Sequence, residues 1–258
     1  MRARSAILAV LGCAAIMLGA CTSGSDPSAG STTTGRRLTT EESEALAISR
    51  FANYDAGLRQ VDATIPDGTH TWRLRGWFDY RDRRGYATLW ADGSEMAAAL
   101  LMWSDQYLFS SQSGDVAAGD LPPLPVPETD EATAAWVPTD YAPEKHVPHA
   151  ALQIIASLGA DRPENPLLLQ QSDARWLRTE EIDGVDLRVV SGPRPAQSAD
   201  RARPGERADD AANDATVRYW IDRDGAMYRV EMRLGNAWGS VDLSAPGTTK
   251  VMIPDLTR

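Results

Sequence analysis

From residue 61 to residue 110 the apolar residues recur at every second position, and turn residues interrupt them at short intervals. Val61–Ile65 reads as a strand and Pro66-Asp67-Gly68 as a turn. In Thr71–Tyr80, Trp72, Leu74, Phe78 and Tyr80 fall on one face, and Arg73, Arg75 and Trp77 on the other. Arg81–Gly85 makes a charged hairpin tip, Tyr86–Ala91 returns, and Asp92-Gly93 turns again. Met96–Trp103 and Tyr107–Ser110 complete the run, joined by Ser104-Asp105-Gln106. Short strands with tight turns pair antiparallel, so this stretch is a meander. Met96–Trp103 is apolar on both faces and must be covered twice, once by helices or a ligand and once by more protein.

The remaining chain is organised around this sheet. Thr39 and Glu42 form a capping box that opens a helix from about 40 to 58, with Ala47, Phe51, Tyr54 and Leu58 at helical spacing. Six prolines, Pro122, Pro123, Pro125, Pro127, Pro138 and Pro143, break residues 112–145, which read as a lid or rim segment. His149–Leu158 and Asn165–Gln171 read as short helices, the second with Pro166 at its first position. Strands resume at Ala174–Glu181 and Val185–Ser191 around an Asp183-Gly184 turn. Residues 192–214 are a second polar excursion. Thr216–Asp222, Ala226–Leu234, Trp238–Ser244 and Lys250–Ile253 finish the chain as strands. Helices gathered in one part of the chain, with antiparallel strands on both sides, define an α+β class. The expected architecture is a strongly curved antiparallel half-barrel of about ten strands. An N-terminal helix and short middle helices would cover its concave face.

The first twenty residues are an address rather than part of the fold. Arg2 and Arg4 precede an uncharged apolar run from Ala6 to Leu18, and Leu18-Gly19-Ala20 leads into Cys21. Thirteen residues fall short of the roughly 20 that a membrane span needs. This layout resembles a bacterial lipoprotein signal, whose box is cut just before a diacylated cysteine. It implies a signal peptide over 1–20, lipidation (palmitate-type acylation) at Cys21, and a domain held on the outer face of the cell membrane. Two acyl chains suffice for stable attachment where one is marginal. Residues 21–38, rich in Ser, Thr and Gly, read as a flexible tether, and 39–258 as the folded domain. Cys13 would leave with the signal, so the mature domain has no free thiol and no disulfide.

Charge narrows the partners. The chain has 26 basic and 36 acidic residues, and removing Arg2 and Arg4 makes the mature balance still more acidic. Such a surface repels phosphate backbones, so no nucleic-acid partner is expected. Lys145 and Lys250 are the two lysines, every other basic side chain being arginine. With the abundant alanine this suits a GC-rich genome, such as an actinobacterial one.

The order of elements resembles the lipid-carrying lipoproteins of the LprG/LppX type from mycobacteria, related in fold to the carriers LolA and LolB. The likeness lies in Arg75-Gly76-Trp77-Phe78-Asp79-Tyr80 with Gly85-Tyr86-Ala87-Thr88-Leu89, and in Trp176-Leu177 through Ile182-Asp183-Gly184-Val185. It continues in Tyr219-Trp220-Ile221-Asp222 with Gly225 and Tyr228-Arg229-Val230, and in Val241-Asp242-Leu243-Ser244. The 112–145 and 192–214 segments look longer than in that family. The resemblance implies an acyl chain enclosed between sheet and helices. It also leaves open an envelope sensor or protein-interaction module, because the same fold serves both.

No catalytic constellation emerges from the residues, and the expected protein is not an enzyme. Seven of eight tryptophans fall on strands, where aromatic residues pack well in any case. If a ligand cavity exists, Trp72, Leu74, Phe78, Leu89, Leu101 and Ile155 are its expected lining. His146-Val147-Pro148-His149 could offer half a metal site, but Pro148 disfavours a helix that would align the pair, leaving a solvated loop as the simpler reading. Asp222-Arg223-Asp224-Gly225 opens like a calcium loop but lacks its later ligands, so a hairpin turn is expected. No Gly-x-Ser-x-Gly and no glycine-rich phosphate loop occurs. Glu180-Glu181 and Asp209-Asp210 read as solvated carboxylates. No cofactor and no metal are expected.

Overall fold

A computed structural model describes residues 35–93, 98–112, 116–124, 126, 135–194 and 215–244. The expected lipidation residue Cys21 with the expected signal peptide, the expected Lys250–Ile253 strand and Asp209-Asp210 lie outside the described residues.

Twelve strands form one antiparallel sheet in the order β1-β8-β9-β10-β11-β12-β2-β3-β4-β5-β6-β7. Their ranges are β1 Arg36–Arg37, β2 Leu58–Asp67, β3 His70–Asp79, β4 Arg84–Ala91, β5 Ala99–Trp103 and β6 Leu108–Gln112. The second half comprises β7 Val137–Thr139, β8 Arg175–Ile182, β9 Val185–Ser191, β10 Val217–Ile221, β11 Met227–Leu234 and β12 Ala237–Leu243. Three helices, α1 Thr40–Ala56, α2 Val147–Ser157 and α3 Pro166–Gln171, complete the described elements. The sheet is curved and does not close, since β1 and β7 remain its edges. The expected α+β half-barrel is what the chain forms.

The sheet is two meanders joined in the middle. Ser240 of β12 pairs with Thr64 of β2, and Leu243 pairs with Val61. The join places the last described strand beside the second. Side chains alternate across this sheet as the pleat requires. In β2, Val61, Ala63 and Ile65 are buried while Gln60, Asp62 and Thr64 are half-buried.

The inner face carries the main core. Leu74 and Phe78 of β3, Leu101 and Trp103 of β5, Val230 of β11 and Val241 of β12 meet Leu152 and Ile155 of α2. Trp103 is the anchor of this layer. Its indole Nε1 donates to the carbonyl of Leu152 at 3.2 Å, and its ring lies 5.6 Å from that of Phe78. Gly85 pairs with Trp103, and a Cβ there would overlap the indole ring. Only glycine leaves room for the tryptophan at this point of the sheet.

The two-faced strand is covered twice. Leu101 and Trp103 face the helices, while Leu100 and Met102 face outward. The outward cover comes from the proline-rich segment. Leu124, Val126 and Trp136 pack with Leu58, Trp77, Tyr86, Leu100, Met102 and Phe109. Trp77 Nε1 donates to the carbonyl of Pro122 at 3.2 Å, and Arg75 donates to that of Gly119 at 2.9 Å. Residues 116–124, Val126 and Trp136 are therefore a cover for the outer face, not a lid or rim, while Val137–Thr139 form the edge strand β7 and Tyr141 packs on the inner core. Pro138 sits in β7, at the open edge, where a strand needs no donor on its outer side.

Two local expectations are corrected. The chain is ordered before Thr39: Arg36 and Arg37 pair with Trp176 and Arg175 of β8, and Leu38 is buried. The apolar stripe expected on α1 is its buried face only in part: Ala47 is buried, and Leu58 is buried in β2 beyond the helix end. Phe51 and Tyr54 are half-exposed and stack on each other at 6.4 Å, while Ser43, Leu46, Ser49 and Asn53 are buried. The α1 N-terminus does carry the expected capping box. Thr39 Oγ1 accepts the Glu42 amide at 3.2 Å, and the Glu42 carboxylate accepts the Thr39 amide at 2.9 Å.

Candidate functional site

One small buried residue of α1, Ser49, borders a gap in the packing. Between α1, α2, α3 and the β10–β11 end of the sheet lies a cavity of about 450 Å³. Its floor is apolar and buried, formed by Leu46, Leu158, Leu169 and Met232. Ile154, Val217 and Tyr219 form half-buried walls. Its rim is polar, with Arg50, Ser157, Glu164, Thr216 and Arg233. The volume falls within the roughly 300–1,000 Å³ of small-molecule pockets, and an apolar interior with a few polar groups at the edge is their usual composition.

Backbone and side-chain bonds fix the wall made by the α2–α3 connection. Arg50 Nε donates to the carbonyl of Ser157 at 2.9 Å, and Arg50 Nη1 donates to Glu164 Oε1 at 3.2 Å. The amide of Ala160 reaches the carbonyl of Arg50 at 3.1 Å, and the amide of Glu164 reaches that of Ala47 at 2.9 Å. Asn53 Nδ2 adds a bond to the carbonyl of Leu158 at 2.9 Å. The connection is thus sewn to α1 along two turns. Asn165 then caps α3 through its side-chain oxygen, which accepts the Leu167 amide at 3.0 Å. Burial pushes the Tyr219 phenol up to about 12.

The residues expected to line a ligand site are elsewhere. Leu74, Phe78, Leu101 and Ile155 are buried in the packed core, and Trp72 and Leu89 are partly buried against it. None of the six is among the described residues that line the 450 Å³ cavity. Alternation identified the inner face correctly, but the β3–β5 part of that face is filled by α2 and Trp103. The open part lies at the other end, where Ser49 is the small α1 side chain on the cavity wall.

Polar motifs singled out in the sequence are engaged locally. His149 lies in the first turn of α2, not in a loop, and its Nδ1 accepts the amide of Ala142 at 3.2 Å. The His146 and His149 rings stand 5.0 Å apart. Burial, with the neighbouring His146, lowers the pKa of His149. The Asp222 carboxylate accepts the amides of Asp224 and Ala226 at 2.9 and 2.8 Å, so it closes the β10–β11 turn. Glu180 pairs with Arg178 at 2.7 Å. Among the described residues no group of three or more His, Cys, Asp or Glu side chains converges as metal ligands would, and no helix is long and apolar enough to cross a membrane.

No protein-family model matches this chain, and no curated protein does. Solved structures do. LprF from Mycobacterium bovis aligns over 86% of this chain and 99% of its own, at 14% identity and a TM-score of 0.43. The lipoprotein LppX of Mycobacterium tuberculosis aligns over 78% and 93%, at 14% identity and a TM-score of 0.38. A LolA-superfamily protein of Nitrosomonas europaea aligns over 84% and 94%, at 9% identity and a TM-score of 0.26. The half-barrel itself stands on this chain's own strand pairing.

Proposed function

We propose that this chain is an extracytoplasmic lipoprotein, anchored to the cell membrane through Cys21, that holds a lipid or other apolar ligand without catalysis. The observation that carries the reading is the cavity between α1, α2, α3 and β10–β11, with its apolar floor and charged rim. An amphiphile suits that division: its apolar part displaces poorly bound water from Leu46, Leu158, Leu169 and Met232, while its polar end meets Arg50, Glu164 and Arg233. The lipobox supports the location, and the strand order supports the container. The tether and the signal peptide complete the same layout, with 1–20 removed and 21 onward retained.

Native mass spectrometry of the purified protein tests this reading. The expected spectrum shows an apolar molecule bound in one-to-one proportion. Val217→Trp should fill the wall and remove that bound mass while circular dichroism and melting temperature hold. A folded wild-type protein that carries nothing, and takes up nothing from an added lipid mixture, would sink the proposal.

A further inference from the structure

We infer that α3 is a membrane-docking element that presses the cavity rim onto a lipid bilayer. Leu167 and Leu168 are 60% and 65% exposed, side by side on this helix. Isolated exposed leucines are ordinary on protein surfaces. These two differ because the helix cannot turn them inward. Asn165 caps α3, Leu169 is buried against the cavity, and Gln170 Nε2 donates to Thr40 Oγ1 at 3.2 Å. At about 100° per residue, fixing Leu169 inward fixes the two before it outward.

The path of the chain says what covers them. Thr40 begins α1, and Arg36–Arg37 lie just before it in β1. Gly35, the first described residue, lies against Arg175 and Leu177, a few residues past the end of α3. Thirteen residues separate Gly35 from Cys21, a length of chain that can span at most about 50 Å. A lipid on Cys21 thus holds α3 within reach of the bilayer, and this step rests on the lipoprotein reading above. α3 itself, Pro166–Gln171, carries no charged side chain. The attachment is apolar rather than electrostatic. Leu169 on the cavity floor is the next residue after Leu168, so an apolar ligand can pass between bilayer and cavity along α3 without crossing water.

The test uses the protein lipidated at Cys21 in phosphatidylcholine vesicles that contain brominated lipid. A fluorescent label at Gln171→Cys, at the end of α3, is compared with one at Asp82→Cys. Asp82 is exposed and follows Arg81, which pairs with Asp55 at the far end of α1, about 25 Å from Thr40. Quenching at 171 should exceed that at 82 several-fold, persist in 0.5 M salt (roughly a 4 Å Debye length), and fall to the level at 82 in Leu167→Asp/Leu168→Asp. Equal quenching at the two positions overturns the inference, as does quenching at 171 that salt abolishes. Dimerisation in solution that the double variant removes would assign the leucines to a second copy and overturn it as well. Flotation of the vesicles reads the anchor separately. Floating protein without quenching at 171 refutes the docking face alone, whereas protein that neither floats nor quenches refutes the anchor too.

Discussion

The side-chain oxygen of Asn53 accepts a hydrogen bond from the guanidinium of Arg59, deep under the C-terminal turn of α1. Both residues are fully buried, at 0% and 1% exposure. Arg59 also donates to the carbonyl of Ser244, and Asn53 donates to that of Leu158. A single amide thus links α1, β2 and the α2–α3 connection, and it sits under one end of the cavity wall. Burial lowers the Arg59 pKa to about 10. Replacing Asn53 by leucine leaves a buried cation short of one acceptor. The expected loss is about 3 kcal/mol, or a melting temperature lower by roughly 6–12 °C for a domain of this size. Thermal unfolding of Asn53→Leu measures it, and an unchanged midpoint would show that water replaces the lost bond.

Gly85→Ala should disturb the inner core from the sheet side. The added methyl group meets the ring of Trp103, which is held in place by Leu152 and Phe78. Overpacking of this kind costs about 1–3 kcal/mol. Near-ultraviolet circular dichroism should change with the melting temperature, because the indole must tilt. Gly85→Ala combined with Trp103→Phe should recover part of the loss, which a purely backbone effect would not allow.

The entry of the chain into the fold is an electrostatic knot. Arg36 makes two bonds to Glu42, at 2.6 and 2.7 Å, and its guanidinium lies 4.4 Å from the centre of the Trp176 ring. Burial alone would raise the Glu42 carboxyl, but Arg36 and the Thr39 amide outweigh it and hold the group below its ordinary value. Asp173 is lowered in the same way, with Arg194 outweighing its burial. A depressed carboxylate contributes stability that is complete above its unfolded pKa and is lost as pH falls through the folded one. Urea midpoints should therefore hold from pH 7 to the ordinary carboxylate range near 4.5 and drop below it. Glu42→Gln should flatten part of that drop, and Thr39→Ala should cost about 1 kcal/mol at every pH.

The alkaline limit has a different origin. Burial pushes Tyr86, Tyr141 and Tyr219 up to about 12 from an ordinary 10. A phenol that keeps its proton only in the folded state contributes stability that is intact below pH 10 and is lost as pH rises through 12. Arg59 works in the opposite direction above pH 10, but it is one group against three. Stability should therefore fall steadily from pH 10 to 12. Tyr141→Phe tests this cleanly, because its buried oxygen has no hydrogen-bond partner among the described residues. The variant should match the wild type at pH 7 and lose stability less steeply above pH 10.

Much of the sheet was legible in the sequence because alternation and turn chemistry are local. β9 has the expected ends, and the Asp183-Gly184 turn is present with both residues at positive φ. β1 was not legible: two arginines carry no apolar pattern, and what orders them is Glu42, Trp176 and the β8 backbone. The site was the least legible part. Periodicity reports which face a side chain takes, not whether another element fills the space opposite. Trp103 and α2 fill it beneath Phe78 and Leu101, so those residues became core. The one usable signal was Ser49 between Leu46 and Arg50 on α1, a small side chain on the cavity wall where a large apolar one would have narrowed the gap.

The place of β12 in the sheet sets an order of assembly. A chain delivered N-terminus first makes β2 through β7 early, yet the free edge of β2 waits for residues 237–243. Contacts between segments some 180 residues apart form slowly, since a long loop must close before they are rewarded. Until then β2 offers an unpaired edge that other strands can capture. A truncation that removes β12 should therefore yield aggregates rather than a smaller stable domain. For the same reason, the sheet is not complete until residues 237–243 have been made.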